Sequence, residues 1–218
     1  MTEKKKLATE SVSIVVCTYN RKNMLKECLK SINALDWPRS DLEIVIVDGG
    51  STDGTEEFCK KEFPEAKFLT ERKHGLAHAR NTGAKMARGS IVAYTDDDCI
   101  VDKGWIKNLV SSFRASTFVI GVGGPVYPHK PEIIPKKFLV KAALGLFDDG
   151  EQLKIANRGI ITSNCAFKIE AFRIAKFDEQ LGATRRRGLL IGGEDTDFCR
   201  TLVSAGYKLL YTPKAKVY

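Results

Sequence analysis

Three adjacent carboxylates, Asp96-Asp97-Asp98, follow the apolar run Ile91 to Thr95. Neighbouring carboxylates repel one another, and a bound divalent cation would relieve that conflict. In an extended segment, residues i and i+2 project to the same side, so Asp96 and Asp98 can share one task. Mg²⁺ or Mn²⁺ typically takes one or two protein carboxylates and fills its other positions with water and substrate phosphate. A solvated acidic turn has the same spacing. A second acidic group stands in Gly192-Gly193-Glu194-Asp195. Its glycines let a ligand come close, and an ionised carboxylate at a helix start can serve as general base toward a hydroxyl. Plain helix capping is the competing reading. Asp48, after Ile44-Val45-Ile46-Val47, could accept hydrogen bonds from a base or ribose, or simply form a turn before Gly49. The stretch from Arg72-Lys73-His74-Gly75 to Arg80-Asn81 is basic and opens a helix, which suits a diphosphate as well as a solvated face. Arg185-Arg186-Arg187 carries charge into a loop, either toward an anionic ligand or as an exposed run.

These groups need elements to hold them. Val12 to Cys17 and Leu42 to Val47 are continuous apolar runs, as in strands buried on both faces. Ala66 to Leu69 and Ile91 to Thr95 read as the third and fourth strands. Between them, Met24, Leu25, Cys28, Leu29 and Ile32 recur at helical spacing, and Gly75 to Met86 is Ala-rich and helical. Asp53 with Glu56 three residues on suggests the start of another helix. A further helix is expected near Trp105 to Phe113. This βαβαβαβ order implies an α/β fold, a mostly parallel central sheet with helices on both faces. Such sheets bind ligands at the carboxyl ends of their strands, where Thr18-Tyr19-Asn20, Asp48 and Asp96-Asp97-Asp98 stand.

The later part is less regular. Val119 to Val126 reads as a strand, Pro125 to Pro135 as a loop, and Phe138 to Phe147 and Phe167 to Ala175 as helices. Gly182 to Gly193 reads as a mobile loop. Glu194 to Ala205 should be a helix with Phe198, Leu202 and Val203 inward, ended by Gly206. A charged segment, 1–10, precedes a single domain, 11–218.

The chain has 218 residues, 43% apolar and 28% charged, with a net charge of +8. That excludes a disordered chain, a disulfide-stapled miniprotein and a fibrous repeat. The excess charge favours anionic partners. The basic residues are scattered without interleaved aromatic platforms, which argues against nucleic acid. The six cysteines form no C-x-x-C pair, and several sit within apolar runs, as reduced core thiols of a cytoplasmic protein would. The first ten residues lack the apolar core of a signal peptide. No run approaches the roughly 20 apolar residues that cross a bilayer. Phe138 to Phe147, interrupted by Lys141, suits an amphipathic helix, or a segment lying on the cytoplasmic membrane face.

Together the segments resemble the family 2 glycosyltransferases, which have a GT-A-type, Rossmann-like nucleotide-sugar-binding fold. In order, these are residues 16–21 (Val-Cys-Thr-Tyr-Asn-Arg), 47–55 (Val-Asp-Gly-Gly-Ser-Thr-Asp-Gly-Thr) and 75–83 (Gly-Leu-Ala-His-Ala-Arg-Asn-Thr-Gly). Residues 95–98 (Thr-Asp-Asp-Asp), 163–167 (Ser-Asn-Cys-Ala-Phe) and 192–198 (Gly-Gly-Glu-Asp-Thr-Asp-Phe) follow. The resemblance covers nearly the whole chain. It implies an inverting, metal-dependent transferase that moves a sugar from a nucleotide-diphosphate donor to an acceptor hydroxyl or lipid phosphate in glycan biosynthesis. Residues 11–118 would then form the donor half and 119–218 the acceptor half. Asp48 would bind the base, with Thr18, Tyr19 and Asn20 lining its pocket, and Arg80 would sit near the diphosphate. Asp96 would face the ribose or the metal, beside Asp97, in a DXD-type motif, and Asp98 would ligate Mn²⁺ or Mg²⁺. Asp195 would be the general base, with Glu194 beside it. UDP is the default donor nucleotide, with GDP and dTDP open. Two departures stand out: Gly49 and Cys99 occupy positions where many members carry Asp. The alternatives are a non-catalytic nucleotide-sugar-binding module and a sugar-phosphate nucleotidyltransferase.

Overall fold

Aliphatic and β-branched runs form the middle of the molecule. A computed structural model describes residues 10–129, 148–156, 159–181, 184–186, 189–191 and 193–218, with 184–186 and 189–191 described as backbone alone. The first half alternates as its periodicity predicts. It runs β1 (Val12–Thr18), α1 (Lys22–Asn33), β2 (Leu42–Asp48), α2 (Thr55–Glu62) and β3 (Lys67–Thr70), then α3 (Leu76–Met86), β4 (Ile91–Asp96) and α4 (Trp105–Ser112). The second half adds β5 (Val119–Gly123), β6 (Lys154–Ile155), β7 (Asn164–Lys168), α5 (Ala171–Ile174), β8 (Thr184–Arg186), β9 (Leu189–Ile191), α6 (Glu194–Ser204) and β10 (Lys208–Tyr211).

Among the described residues, eight strands form one mixed sheet in the order β3-β2-β1-β4-β7-β5-β10-β6, and β8 pairs with β9 in a separate two-stranded sheet. The β1, β2, β3 and β4 pairings are parallel, whereas β7 is antiparallel to both β4 and β5. Side chains alternate between two cores. Ile14, Val16, Ile44 and Ile46 pack with Leu25, Cys28, Leu29 and Ile32 of α1 and with Trp105 and Leu109 of α4. Val15, Val45 and Val47 face the opposite core, with Ala77 and Ala84 of α3 and Phe198 and Leu202 of α6. At about 25 cal/mol per Å² of apolar surface, this two-sided burial is the main stabilising term. Helix α3 lies unusually close to β1: a Cβ on Gly83 would stand 2.3 Å from a Val15 methyl.

Several sequence expectations need correction. Helix α2 begins at Thr55 after Gly54, which adopts φ +80°, so Asp53 is not its N-cap. Phe167 belongs to a strand, and only Ala171–Ile174 of the expected helix forms. The reason is alternation: Cys165 and Phe167 face one core while Ala166 faces the other. Strand β5 ends at Gly123, because Gly124 packs against the Ala215 backbone so tightly that a Cβ would approach its carbonyl oxygen to 2.1 Å. The glycine-flanked basic segment expected to be a loop holds the antiparallel pair β8 and β9. Val203, expected inward, is 53% exposed, and Met24, one of the apolar residues at helical spacing in α1, is 52% exposed. The helix expected at Phe138 to Phe147, residues 1–9, Arg187 and Gly192 lie outside the described residues.

Candidate active site

Strand order places the key chain ends side by side. Thr18 at the end of β1 registers with Asp48 at the end of β2, and Cys17 registers with Asp96 at the end of β4. The crevice therefore opens where the sheet runs outward in both directions from β1, the usual ligand position in such sheets. A cavity of about 390 Å³ occupies it. Its wall includes Thr18, Tyr19, Arg21, Gly49, Glu71, Lys73, His74 and Asp96 to Asp98.

The loops after β1 and β2 are stitched together. Asn20, at φ +53°, accepts from the Thr52 amide through Oδ1 at 2.8 Å, and its own amide donates to Ser51 Oγ at 2.7 Å. Asp53 Oδ2 accepts from the amide of Lys22, the first residue of α1, at 2.9 Å. Asp48 is buried, and its carboxylate accepts from the amides of Gly50 at 3.0 Å and Ser51 at 2.8 Å and from the Ser51 hydroxyl. Asn20 and Asp48 thus stand behind the cavity wall and shape it, whereas Thr18 and Tyr19 form part of it. Gly49 lies under Tyr19: a Cβ there would meet the tyrosine at 3.2 Å.

Cations, not distance, relieve the repulsion among the three aspartates. Arg21 Nη1 donates to Asp97 Oδ1 and to Asp98 Oδ2, each at 3.1 Å. Asp97 is buried and also accepts from Thr18 Oγ1 at 2.8 Å. Arg80 reaches Asp96 Oδ1 from below at 3.4 Å. Burial raises the Asp96 carboxyl above the ordinary range, and Arg80 opposes that rise. Burial likewise raises Asp97, against hydrogen bonds from Thr18 and Arg21. The turn closed by the Cys99 amide on the Asp96 carbonyl at 3.2 Å, not an extended segment, brings Asp96 and Asp98 to the same cavity. Among the described residues, no group of three or more His, Cys, Asp or Glu is arranged to hold a metal by itself. The donor set nonetheless suits a cation that is shared with a diphosphate. Asp98 is 49% exposed, Asp96 is 36% exposed, and both face the cavity.

Helix α6 brings the last acidic pair to the same end of the molecule. Glu194 is buried and accepts from Arg80 Nη1. Asp195 is partly exposed, and its Oδ1 accepts from the Thr196 amide at 2.7 Å. Burial, and then the charge of Glu194, raise the Asp195 carboxyl above the usual Asp range. A base with a raised pKa is matched to proton transfer nearer neutral pH. Two wall residues, Arg21 and Glu71, carried no assigned role in the sequence. A counter-ion for three adjacent aspartates was the available signal for Arg21. For Glu71 the signal was its place at the end of β3, like the polar groups ending β1, β2 and β4.

A mixed sheet with this crevice, and acidic groups at the end of β4 and the start of α6, is a GT-A-type fold. The chain belongs to glycosyl transferase family 2, whose family model matches residues 13–176. It is 28% identical over 207 residues to the glycosyltransferase AglE of Haloferax volcanii, covering 92% of this chain and 64% of that one. It is 27% identical over 220 residues to the glucosyl-dolichyl phosphate glucuronosyltransferase of the same organism, covering 94% of this chain and 68% of that one. Its fold matches a mannosyltransferase from Pyrobaculum calidifontis, solved with GDP-Man and Mn²⁺, at a TM-score of 0.72 and 24% identity over 97% of this chain and 57% of that one. GalNAc-T7, solved with UDP, GalNAc and Mn²⁺, matches at a TM-score of 0.73 and 19% identity over 97% of this chain and 44% of that one. The chain thus spans about two thirds of these curated relatives.

Proposed function

We propose that this chain transfers a sugar, with inversion, from a nucleotide-diphosphate donor to an acceptor hydroxyl or lipid phosphate. The observation that carries this reading is one crevice bordered by Thr18, Tyr19 and Asp96 to Asp98, tied to the start of α6 by Arg80, which donates to both Asp96 and Glu194. The donor nucleotide lies between the β1 and β2 loops, which Asn20 and Asp48 hold in place. Asp98 and Asp96 would hold Mn²⁺ or Mg²⁺ together with the diphosphate. Such a cation, when bound, stabilises the charge that develops on the leaving diphosphate. Lys73 adds positive charge at the cavity wall, beside His74.

For a hydroxyl acceptor, Asp195 takes the hydroxyl proton as the acceptor oxygen bonds to the anomeric carbon. The bond from that carbon to the diphosphate oxygen breaks, and its electron pair leaves with the nucleotide diphosphate. Attack from the face opposite the leaving group inverts the centre. The named substrate of the glucuronosyltransferase relative, a dolichyl phosphate-linked sugar, supports a lipid-linked acceptor and contact with a membrane surface. Among the described residues, no helix is long and apolar enough to cross a membrane.

The test is a transfer assay with nucleotide-diphosphate sugars, Mn²⁺ and lipid-linked or free glycan acceptors. Release of nucleotide diphosphate with a product of inverted configuration, read by NMR, is expected. Binding without turnover across donors and acceptors would favour a non-catalytic module. Pyrophosphate release from a nucleoside triphosphate would favour a nucleotidyltransferase.

A further inference from the structure

Arg80 sits on α3, a helix held tightly to β1 at Gly83. Its side chain is 4% exposed, and it is absent from the cavity wall although its neighbour Ala79 lines it. The guanidinium splits its donors between two parts of the molecule. Nη1 donates to Glu194 at the start of α6, and Nη2 donates to Asp96 at the end of β4. The Tyr94 hydroxyl donates to the Arg80 carbonyl at 3.0 Å, and the Phe177 ring lies 5.9 Å from the guanidinium carbon. A planar fork can satisfy two carboxylates at fixed angles; an ammonium is a single point of charge.

We infer that Arg80 is a positioning residue: it fixes the Asp96 turn and the start of α6 to one another, and so sets the distance between bound donor and Asp195, without gripping the diphosphate itself. This rests on the transfer reading above. A misplacement of about 1 Å between reacting groups can cost on the order of 100-fold in rate. A residue of this kind acts on kcat and leaves donor binding nearly unchanged.

The test compares Arg80→Lys, Arg80→Gln and the double variant Arg80→Gln/Glu194→Gln, which does not strand the Glu194 charge. GDP and UDP affinities are measured by calorimetry with Mn²⁺, kcat and donor KM by transfer assay, and backbone opening by amide exchange. Expected are nucleotide affinity and donor KM within about threefold of wild type, and kcat lowered about 100-fold in both glutamine variants, with Arg80→Lys between. Amide exchange should quicken at both the Asp96 turn and the start of α6 while β1 and β2 stay protected. A tenfold or greater loss of nucleotide affinity in Arg80→Lys and in the double variant would make Arg80 a diphosphate ligand and overturn the inference. So would unchanged kcat. If the wild type binds nucleotide but transfers nothing, the transfer reading fails, and amide exchange still decides: unchanged exchange at both segments overturns the positioning role.

Discussion

At the scale of single residues, Asp195 carries the sharpest consequence. Its carboxyl is raised by burial and then by Glu194, so ionising it in the folded protein costs free energy. A base must be ionised to act, so kcat should fall with unit slope as pH drops through the raised pKa. That limb lies above the ordinary Asp value of about 3.9. Asp195→Asn should lower transfer by about 10²- to 10⁴-fold and remove that limb, with nucleotide affinity retained. The stability sign runs the other way. A raised carboxyl favours folding below its unfolded pKa, and the advantage is lost as pH rises through the folded value. Asp195→Asn should therefore melt at or above the wild-type temperature near pH 7.5, and a clearly lower melting point would contradict the burial argument. Asp98 makes a separate prediction: with both its ion pair to Arg21 and its place on the wall lost, Asp98→Ala should abolish the Mn²⁺-dependent part of nucleotide binding. Calorimetry giving the same affinity with and without Mn²⁺ in the wild type would remove that role.

At the scale of elements, the loops after β1 and β2 stand or fall together. Asp53 Oδ2 caps the first amide of α1, Oδ1 accepts from the Thr55 amide at 3.2 Å, and the Asp53 carbonyl accepts from Lys22 Nζ at 2.7 Å. Asp53→Ala should cost about 1–2 kcal/mol, as lost caps do. The Asp53 carboxyl is lowered, first by the Thr55 hydroxyl and next by the Lys22 amide. Its contribution is thus present above the unfolded pKa and lost as pH falls through the folded one, so wild type and variant should converge in urea melts in acid. A constant gap from neutral pH into acid would show that the carboxylate is not the cause. The same loops show what a sequence reveals. Strands β1, β2 and β4 are legible because burial on both faces leaves unbroken apolar runs, and the carboxylates at their ends inherit a position from them. Strand β7 is not, because five residues beside two aromatics match a helix as well as an alternating strand. The capping of α1 by Asp53 joins residues 31 positions apart, and Arg80 joins Glu194 across 114, distances that no local period encodes.

The whole molecule decides which anion it selects. A net charge of +8 attracts any polyanion, so weak binding of phosphates alone says little about the crevice. Long-range attraction of that kind fades once the screening length falls to about 3 Å at 1 M salt, whereas contacts inside a cavity persist. A nucleotide diphosphate that binds only the folded chain at 100 times its dissociation constant should stabilise it by about 2.7 kcal/mol. For a domain of this size that corresponds to a rise of roughly 5–11 °C in melting temperature. The expected pattern across GDP, UDP and dTDP with Mn²⁺ is one strong response that survives added salt. Chelation should reduce it sharply, and inorganic pyrophosphate should fail to reproduce it. The base that responds is chosen by a wall in which Gly49 leaves Tyr19 undisturbed and Glu71 faces the cavity. Gly49→Asp, which pushes a Cβ to 3.2 Å from Tyr19, should weaken the preferred nucleotide and flatten the preference. Equal shifts for all three nucleotides and for pyrophosphate, vanishing together at high salt, would mean that the charge alone binds and the crevice selects nothing.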